Sequence, residues 1–174
     1  DGGMTLSGGE PLYQPEFTLE LLQKAKEKSI HTAMETCGFA PSETVRKVAE
    51  YVDLFLFDYK ETDSRRHAEF TGTDNRLILQ NLAMLNEMGK PIVLRCPIIP
   101  GCNDRDDHFR GIADTANRLK MISHIELEPY HALGEGKYAD LGQESFHYPM
   151  YEKEEKEKIL AAVAAYTEKK VQFA

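Results

Sequence analysis

Short apolar runs alternate with longer amphipathic stretches along the whole chain. The apolar runs have the length of buried strands and are bounded by turn residues; they lie at Met4–Leu6, His31–Glu35, Leu54–Asp58, Ile92–Cys96 and Ile125–Glu128. Each run is followed by apolar residues three or four positions apart, which is the spacing of one helix face. The pattern therefore predicts five βα units that form a parallel sheet with helices outside it.

The helical stretches carry apolar stripes that we expect to face the sheet. These stripes are Phe17, Leu21 and Ala25; Ile78, Leu82, Leu85 and Met88; Phe109, Ile112, Ala113, Ala116 and Leu119; and Ile159, Val163 and Tyr166. The last stripe lies in a stretch at 151–170 that is predicted to be one helix. Five strands are too few for a closed eightfold barrel, and no G-x-G-x-x-G follows the first strand. An α/β fold of the partial (β/α) barrel type is therefore favoured over a dinucleotide-binding sheet.

Length and charge narrow the classes of function. The 174 residues are predicted to form a single domain, 1–174, and the net charge of −8 argues against a nucleic-acid partner, which would need clustered Lys and Arg. No apolar run approaches the roughly 20 residues of a membrane span, and no signal peptide opens the chain. A cytoplasmic protein with no membrane partner is expected.

Polar and glycine residues gather at or just after the ends of the predicted strands. They are Gly8, Gly9, Glu10, Glu35, Thr36, Asp58, Lys60, Arg95 and His131. Parallel strands bring their carboxyl ends to one face of the sheet, where α/β enzymes assemble their sites. Carboxylates suit a ligand ammonium, and the cationic side chains suit a ligand carboxylate or hydroxyls. The sequence predicts a pocket for a zwitterion, such as an amino acid or a cofactor with an amino-acid end.

Taken one at a time, these residues also have structural explanations. A double glycine after a strand is usually a tight turn, Asp58 and Lys60 could be solvated at a strand end, and His131 could cap a loop. Arg95 is harder to explain in this way, because a buried guanidinium without an anionic partner is costly. It is their occurrence together at one rim that favours a binding site.

Six segments resemble, in order and approximate spacing, the activating enzymes of glycyl radical enzymes, the family of pyruvate formate-lyase activating enzyme. The segments are "GGMTLSGGEPLYQPEF", "HTAMETCGF", "DLFLFDYKETDSRRHAEFTGTDN", "ILQNL", "LRCPIIPGCND" and "IELEPYHALGEGKY". They cover nearly the whole chain. The resemblance implies a radical S-adenosylmethionine (SAM) enzyme with a partial (β/α) barrel.

In that family, a [4Fe-4S] cluster held by a CxxxCxxC loop reduces SAM, and the resulting 5′-deoxyadenosyl radical takes a hydrogen atom from a glycine of the partner enzyme. The resemblance implies SAM and the cluster as cofactors, a glycyl radical enzyme as protein substrate, and a flavodoxin or ferredoxin-type reductant. The implied SAM-binding residues are Gly8, Gly9 and Glu10 at the amino group, Lys60 at the methionine carboxylate, His131 at the ribose, Arg95 as support, and Glu35 and Asp58 as a polar floor. A monovalent cation is implied at Glu35, Thr36 and Asp58.

Two departures from the family pattern change these expectations. Glu35 stands where the family commonly has Asp, and its extra methylene shifts the carboxylate from the position implied for the cation site. No CxxxCxxC occurs among the three cysteines, and Cys96 and Cys102, separated by five residues, cannot replace it. We therefore expect these residues to lack the first strand and the cluster loop of the family and to be inactive alone. A free sheet edge at Met4–Leu6 would also favour self-association.

Two other functions are compatible with the same residues. A non-catalytic regulatory or binding domain could keep the pocket without cluster chemistry, and a CxxxCxxC encoded directly upstream would argue against it. A Schiff-base aldolase could use Lys60 as its nucleophile, which requires a depressed lysine pKa. Borohydride trapping with a carbonyl substrate would distinguish that enzyme class from a SAM enzyme.

Overall fold

The computed structural model describes residues 2–132 and 147–174. Its strands are β1 (Gly3–Leu6), β2 (His31–Thr36), β3 (Leu54–Asp58), β4 (Ile92–Ile98), β5 (Ile122–Pro129) and β6 (Lys170–Phe173). Its α-helices are α1 (Pro15–Glu27), α2 (Ser42–Ala49), α3 (Ser64–Thr71), α4 (Arg76–Glu87), α5 (Asp106–Arg118) and α6 (Lys153–Ala164), and a short 3-10 helix covers Pro11–Tyr13.

The strands form one sheet in the order β1-β2-β3-β4-β5-β6, and every neighbouring pair is parallel. Each crossover therefore leads to the adjacent strand and advances in one direction, which is the winding of a (β/α) barrel and not of a doubly wound sheet. The predicted α/β partial barrel is confirmed. The register sets Asp58 of β3 beside Arg95 of β4, and Arg95 beside Glu126 of β5.

The carboxyl-terminal prediction was wrong in part. The stretch at 151–170 does not form one helix: α6 ends at Ala164, and the chain then adds β6 parallel to β5. Val171 and Phe173 pack against the core, while Lys170 alternates with them and is exposed. The strand has only four residues and comes soon after a Lys- and Glu-rich helix, so its alternation of polar and apolar residues is too short to be distinguished from the helical pattern.

The inner face of α1 differs in part from the prediction, which was correct for Ala25 but one position off for Phe17 and Leu21. Its buried residues are Thr18, Leu22 and Ala25, whereas Phe17 is 64% exposed. The Thr18 hydroxyl donates to the Pro11 carbonyl oxygen at 2.7 Å, which ties this face of the helix to the preceding turn. The predicted stripe of α5 is confirmed as buried, as are Ile78, Leu82 and Leu85 of the α4 stripe, whereas Met88 lies just beyond α4 and is only partly buried. In the last stripe, Ile159 and Val163 lie within α6 and are buried.

The two faces of the sheet differ in chemistry. Phe55 and Phe57 of β3 point toward the helices and are fully buried in the core. The residues that alternate with the buried ones in β3, β4 and β5 form the other face of the sheet. This face is partly exposed, and it carries charged side chains near the carboxyl ends of the strands. We call this second face the open face. Within the described ranges, no helix combines the length and the apolar character needed to cross a membrane.

Candidate functional site

Arg95 lies at the centre of the open face. Its guanidinium is 2.8 Å from Glu35 of β2, bonds Glu128 of β5, and is 4.0 Å from Glu126. The register of the strands produces this arrangement, since alternate residues of adjacent parallel strands share a face. The sequence argument that Arg95 needs an anionic partner is confirmed, and the partners come from both sides of its strand.

Burial acts on two carboxylates of this cluster. It raises the pKa of Asp58, although the nearby Lys60 and Arg95 charges work in the opposite direction. Burial likewise raises the pKa of Glu128, again against the influence of Arg95. The open face is therefore a partly desolvated surface on which charges interact more strongly than in bulk water.

Lys60 lies just beyond β3, at the rim. Its Nζ is 3.6 Å from an Asp58 carboxylate oxygen, and its side chain is 42% exposed. The Lys60 carbonyl oxygen accepts from Asn103 Nδ2 at 2.9 Å, so the backbone is held while the side chain faces solvent. An ammonium group placed in this way is available to an anionic ligand group.

The loop after β1 is held by Glu10. One carboxylate oxygen accepts from the Thr36 hydroxyl at 2.7 Å and from Leu12 N at 3.1 Å; the other accepts from Cys37 N at 3.0 Å. Gly8 has a φ of +117°, which favours glycine, and neither it nor Gly9 has a neighbouring heavy atom within 4 Å of the position a Cβ would take. Glu10 thus anchors a loop whose glycine backbone is open to approach.

The structure brings together only part of the predicted set. Glu35, Asp58, Lys60 and Arg95 share the open face and its rim. Thr36 is buried on the opposite side of β2, where it bonds Glu10. His131 follows β5 and is exposed, and most of the motif "HALGEGKY" that it begins lies outside the described residues. Binding of SAM by these residues stays a prediction.

Sequence reasoning missed two residues of the cluster, Glu126 and Glu128. The segment "HIELEP" carries the signal that could have identified them, because His124, Glu126 and Glu128 alternate with buried Ile125 and Leu127. A period of two places the three polar residues on the face opposite the core. Knowing that β5 pairs with β4 was also required, since only pairing puts these carboxylates beside Arg95.

The cysteines and carboxylates do not form a metal centre in the described part of the chain. No three His, Cys, Asp or Glu side chains there are grouped closely enough to hold an ion. Cys96 is fully buried, and Cys37 donates its thiol to Glu10. Burial, reinforced by the Glu10 charge, raises the pKa of the Cys37 thiol to about 11, which opposes the thiolate that a metal would need.

Known proteins share the sequence and the fold of this chain. The family model described as the radical SAM superfamily matches residues 2–113. The choline trimethylamine-lyase activating enzyme of Oleidesulfovibrio alaskensis is 47% identical, over 86% of this chain and 48% of that protein. The trans-4-hydroxy-L-proline dehydratase activating enzyme of Clostridioides difficile is 41% identical, over 88% of this chain and 50% of that protein. The chain thus spans about half the length of these relatives.

A solved structure extends the similarity to the whole fold. A domain of pyruvate-formate lyase-activating enzyme from Bacteroides vulgatus superposes with a TM-score of 0.79 at 29% identity, over 98% of this chain and 99% of that one. The family match covers more than half of the chain and includes both Arg95 and the loop after β1 that contains Gly8 and Gly9, called here the glycine loop. This chain belongs to the radical SAM superfamily.

Proposed function

We propose that this chain is the SAM-binding part of a radical SAM enzyme that activates a glycyl radical enzyme. The observation that carries the proposal is the placement of Lys60 and Arg95 beside carboxylates on the open face, at the strand ends where the glycine loop of β1 also lies. The similarity to activating enzymes supports the reaction class.

The residues present fit SAM as a ligand. The methionine part of SAM carries both an ammonium and a carboxylate, and the rim offers an exposed ammonium on Lys60 together with several carboxylates. Open space beside Gly8 and Gly9 leaves room for a ligand to approach the backbone. Within the proposal, Lys60 binds the ligand carboxylate, and Arg95 orients Glu35 and Glu128 and keeps their charges balanced.

The residues present do not fit a [4Fe-4S] cluster. Such a cluster needs three thiolates close together, and the three cysteines of this chain are not grouped. Bound SAM and a cluster would together supply the radical that abstracts hydrogen from a glycine. We therefore propose that the cluster ligands lie in a segment outside these 174 residues and that the chain alone does not cleave SAM.

The partners follow from the same proposal. A glycyl radical enzyme would be the protein substrate, and a flavodoxin or ferredoxin-type protein would supply the electron. The named relatives activate enzymes with different substrates, so the proposal extends to the class of partner and not to one member of it. We also propose that the protein is cytoplasmic, as expected from the sequence.

The test of function uses the protein extended by the coding segment upstream of residue 1, reconstituted with iron and sulfide without oxygen. We expect the extended protein to release 5′-deoxyadenosine from SAM in the presence of a reductant, and the present chain to release none. An extended protein with the Arg65→Ala substitution, at an exposed position on α3, is the control and should retain activity. Absence of cleavage by an extended protein with a demonstrated cluster would contradict the proposal.

The free edge of β1 leads to a second prediction. β1 pairs only with β2 among the described strands, so one side of its backbone is unpaired. An unpaired edge is a template for pairing with a second copy, and a charged side chain placed on it opposes this pairing. We expect light scattering to detect a dimer that Thr5→Lys converts to monomer, whereas Ala161→Lys on the exposed side of α6 leaves it intact. A wild-type chain that is monomeric at all concentrations would contradict the prediction.

A further inference from the structure

A buried ion cluster lies directly behind Lys60. The Glu61 carboxylate is 1% exposed and is bound by both terminal nitrogens of Arg105 at 3.0 Å. His108 of α5, whose side chain is fully buried, places Nδ1 3.3 Å from the same carboxylate. A carboxylate that enters the interior immediately after the rim lysine is thus fixed by two residues from the start of α5.

The backbone around Lys60 is held by two asparagine side chains. Asn103 Nδ2 donates to the Lys60 carbonyl oxygen at 2.9 Å and to the Pro97 carbonyl oxygen at 2.8 Å. Asn75 Nδ2 donates to the carbonyl oxygens of Glu61 and Thr62 at 3.1 and 3.2 Å. Three successive carbonyl groups are therefore occupied, and the Lys60 side chain extends from this fixed segment toward solvent.

Close packing fixes the same segment from the other side. A Cβ on Gly111 of α5 would lie 2.7 Å from Thr62 Cγ2 and 2.9 Å from Thr62 Cβ. The absence of a side chain at Gly111 is therefore what lets the segment lie against the helix. The segment cannot move toward α5, and its hydrogen bonds oppose movement away from it.

A buried ion pair is not required for a stable turn. Burying an ion pair removes two charges from water, and apolar residues of similar size often give equal stability. His108 Nε2 is also buried without a hydrogen-bond partner. What the contacts around this cluster fix is the backbone of residues 60–62, and the exposed side chain at the start of that segment is Lys60.

We propose that Glu61, Arg105 and His108 form a positioning cluster that holds Lys60 where it binds the carboxylate of the ligand. The inference rests on the proposed function, because it assumes SAM as the ligand. It assigns a role in ligand selection to residues that do not touch the ligand. Perturbing the cluster should reduce recognition of the carboxylate while leaving the rest of the ligand bound as before.

The experiment compares SAM with decarboxylated SAM, which lacks only that carboxylate. Their dissociation constants are measured by calorimetry on the reconstituted extended protein and on its Lys60→Ala, Glu61→Gln and Gly111→Ala variants. We expect each variant to bind SAM about tenfold more weakly and to bind the decarboxylated ligand within about twofold of wild type. The Glu61→Gln/Lys60→Ala double variant should lose no more affinity than Lys60→Ala alone.

Two controls separate positioning from loss of fold. Asp53→Asn removes a partly buried ion pair with Lys26 at the opposite end of the strands, so it tests general destabilisation. Gly111→Ala displaces residues 60–62 without changing any charge. It therefore replaces Glu61→Gln as the test of positioning if Glu61→Gln fails to fold. Equal weakening of both ligands, or additive losses in the double variant, would overturn the positioning role. If Lys60→Ala itself leaves the preference for SAM unchanged, the carboxylate contact in the proposed function is wrong as well.

Discussion

Replacing Gly38 with alanine is expected to destabilise the protein by about 3 kcal/mol, the sum of a backbone cost and a packing cost. Gly38 has a φ of +71°, a conformation that disfavours any residue with a Cβ. The new Cβ would lie 2.6 Å from Phe57 Cζ and 2.7 Å from Cε2. Phe57 is fully buried in the core, so its ring cannot move into solvent. Urea unfolding followed by circular dichroism measures the difference.

Gly72→Ala is the matched control for that substitution. Gly72 also has a positive φ, of +81°, but no heavy atom lies within 4 Å of its Cβ position. It should therefore show the backbone cost alone, about 1 kcal/mol. Phe57→Leu in the Gly38→Ala background should recover part of the packing cost, because it shortens the clashing ring. Equal effects of Gly38→Ala and Gly72→Ala would show that the Phe57 contact does not contribute.

The consequence of Gly38→Ala extends to the glycine loop. The Gly38 carbonyl oxygen accepts from Asn81 at 2.8 Å, and its N–H donates to the Thr36 hydroxyl at 2.9 Å. Thr36 in turn bonds Glu10, which anchors the loop after β1. A displaced Gly38 would therefore loosen the loop that the proposed function assigns to SAM.

Replacing Arg95 with glutamine is expected to destabilise the protein by about 2–3 kcal/mol near neutral pH, since it leaves partly buried carboxylates without their cation. Glu35 and Glu128 would lose direct partners, and Asp58 would lose a neighbouring positive charge. Arg76→Gln is the control, because its pair with Asp74 is at the surface, with the Arg76 side chain 84% exposed. Such a solvent-exposed pair contributes little to stability, so Arg76→Gln should leave the free energy of unfolding nearly unchanged.

The Arg95→Gln deficit should depend on pH with a definite sign. Burial raises the pKa of Asp58 and of Glu128 in the folded state, and removing Arg95 takes away a charge that opposes this rise. The folded variant therefore holds protons on these groups at a higher pH than its unfolded chain does. The free energy of unfolding of the Arg95→Gln variant therefore increases as the pH falls through the folded pKa values of Asp58 and Glu128, and it decreases as the pH rises through them. Unfolding curves at roughly pH 7.5 and pH 5 should show a smaller deficit at the lower pH. A constant deficit would show that the loss comes from packing.

Some residues at the candidate site could be predicted from the sequence, whereas the role of Glu61 behind it could not. Arg95 was predictable, because a guanidinium in an otherwise apolar strand demands anionic partners wherever the strand lies. Lys60 and the glycine loop were predictable as a group, since carboxyl ends of parallel strands converge on one face. Glu61 was not, because nothing in the sequence distinguishes a carboxylate that turns inward from one that faces water.

What the sequence determined by itself was the periodic content: the strand runs, the inner faces of α4 and α5, the parallel sheet and the rim on which polar residues collect. These features depend on burial patterns that repeat along the chain, so they can be identified from short sequence segments. Only the tertiary structure decided the register of β5 against β4, the addition of β6, and the contact of Glu61 with Arg105 across 44 positions. These features depend on contacts between segments that are far apart in the chain, and a local sequence pattern contains no information about such contacts.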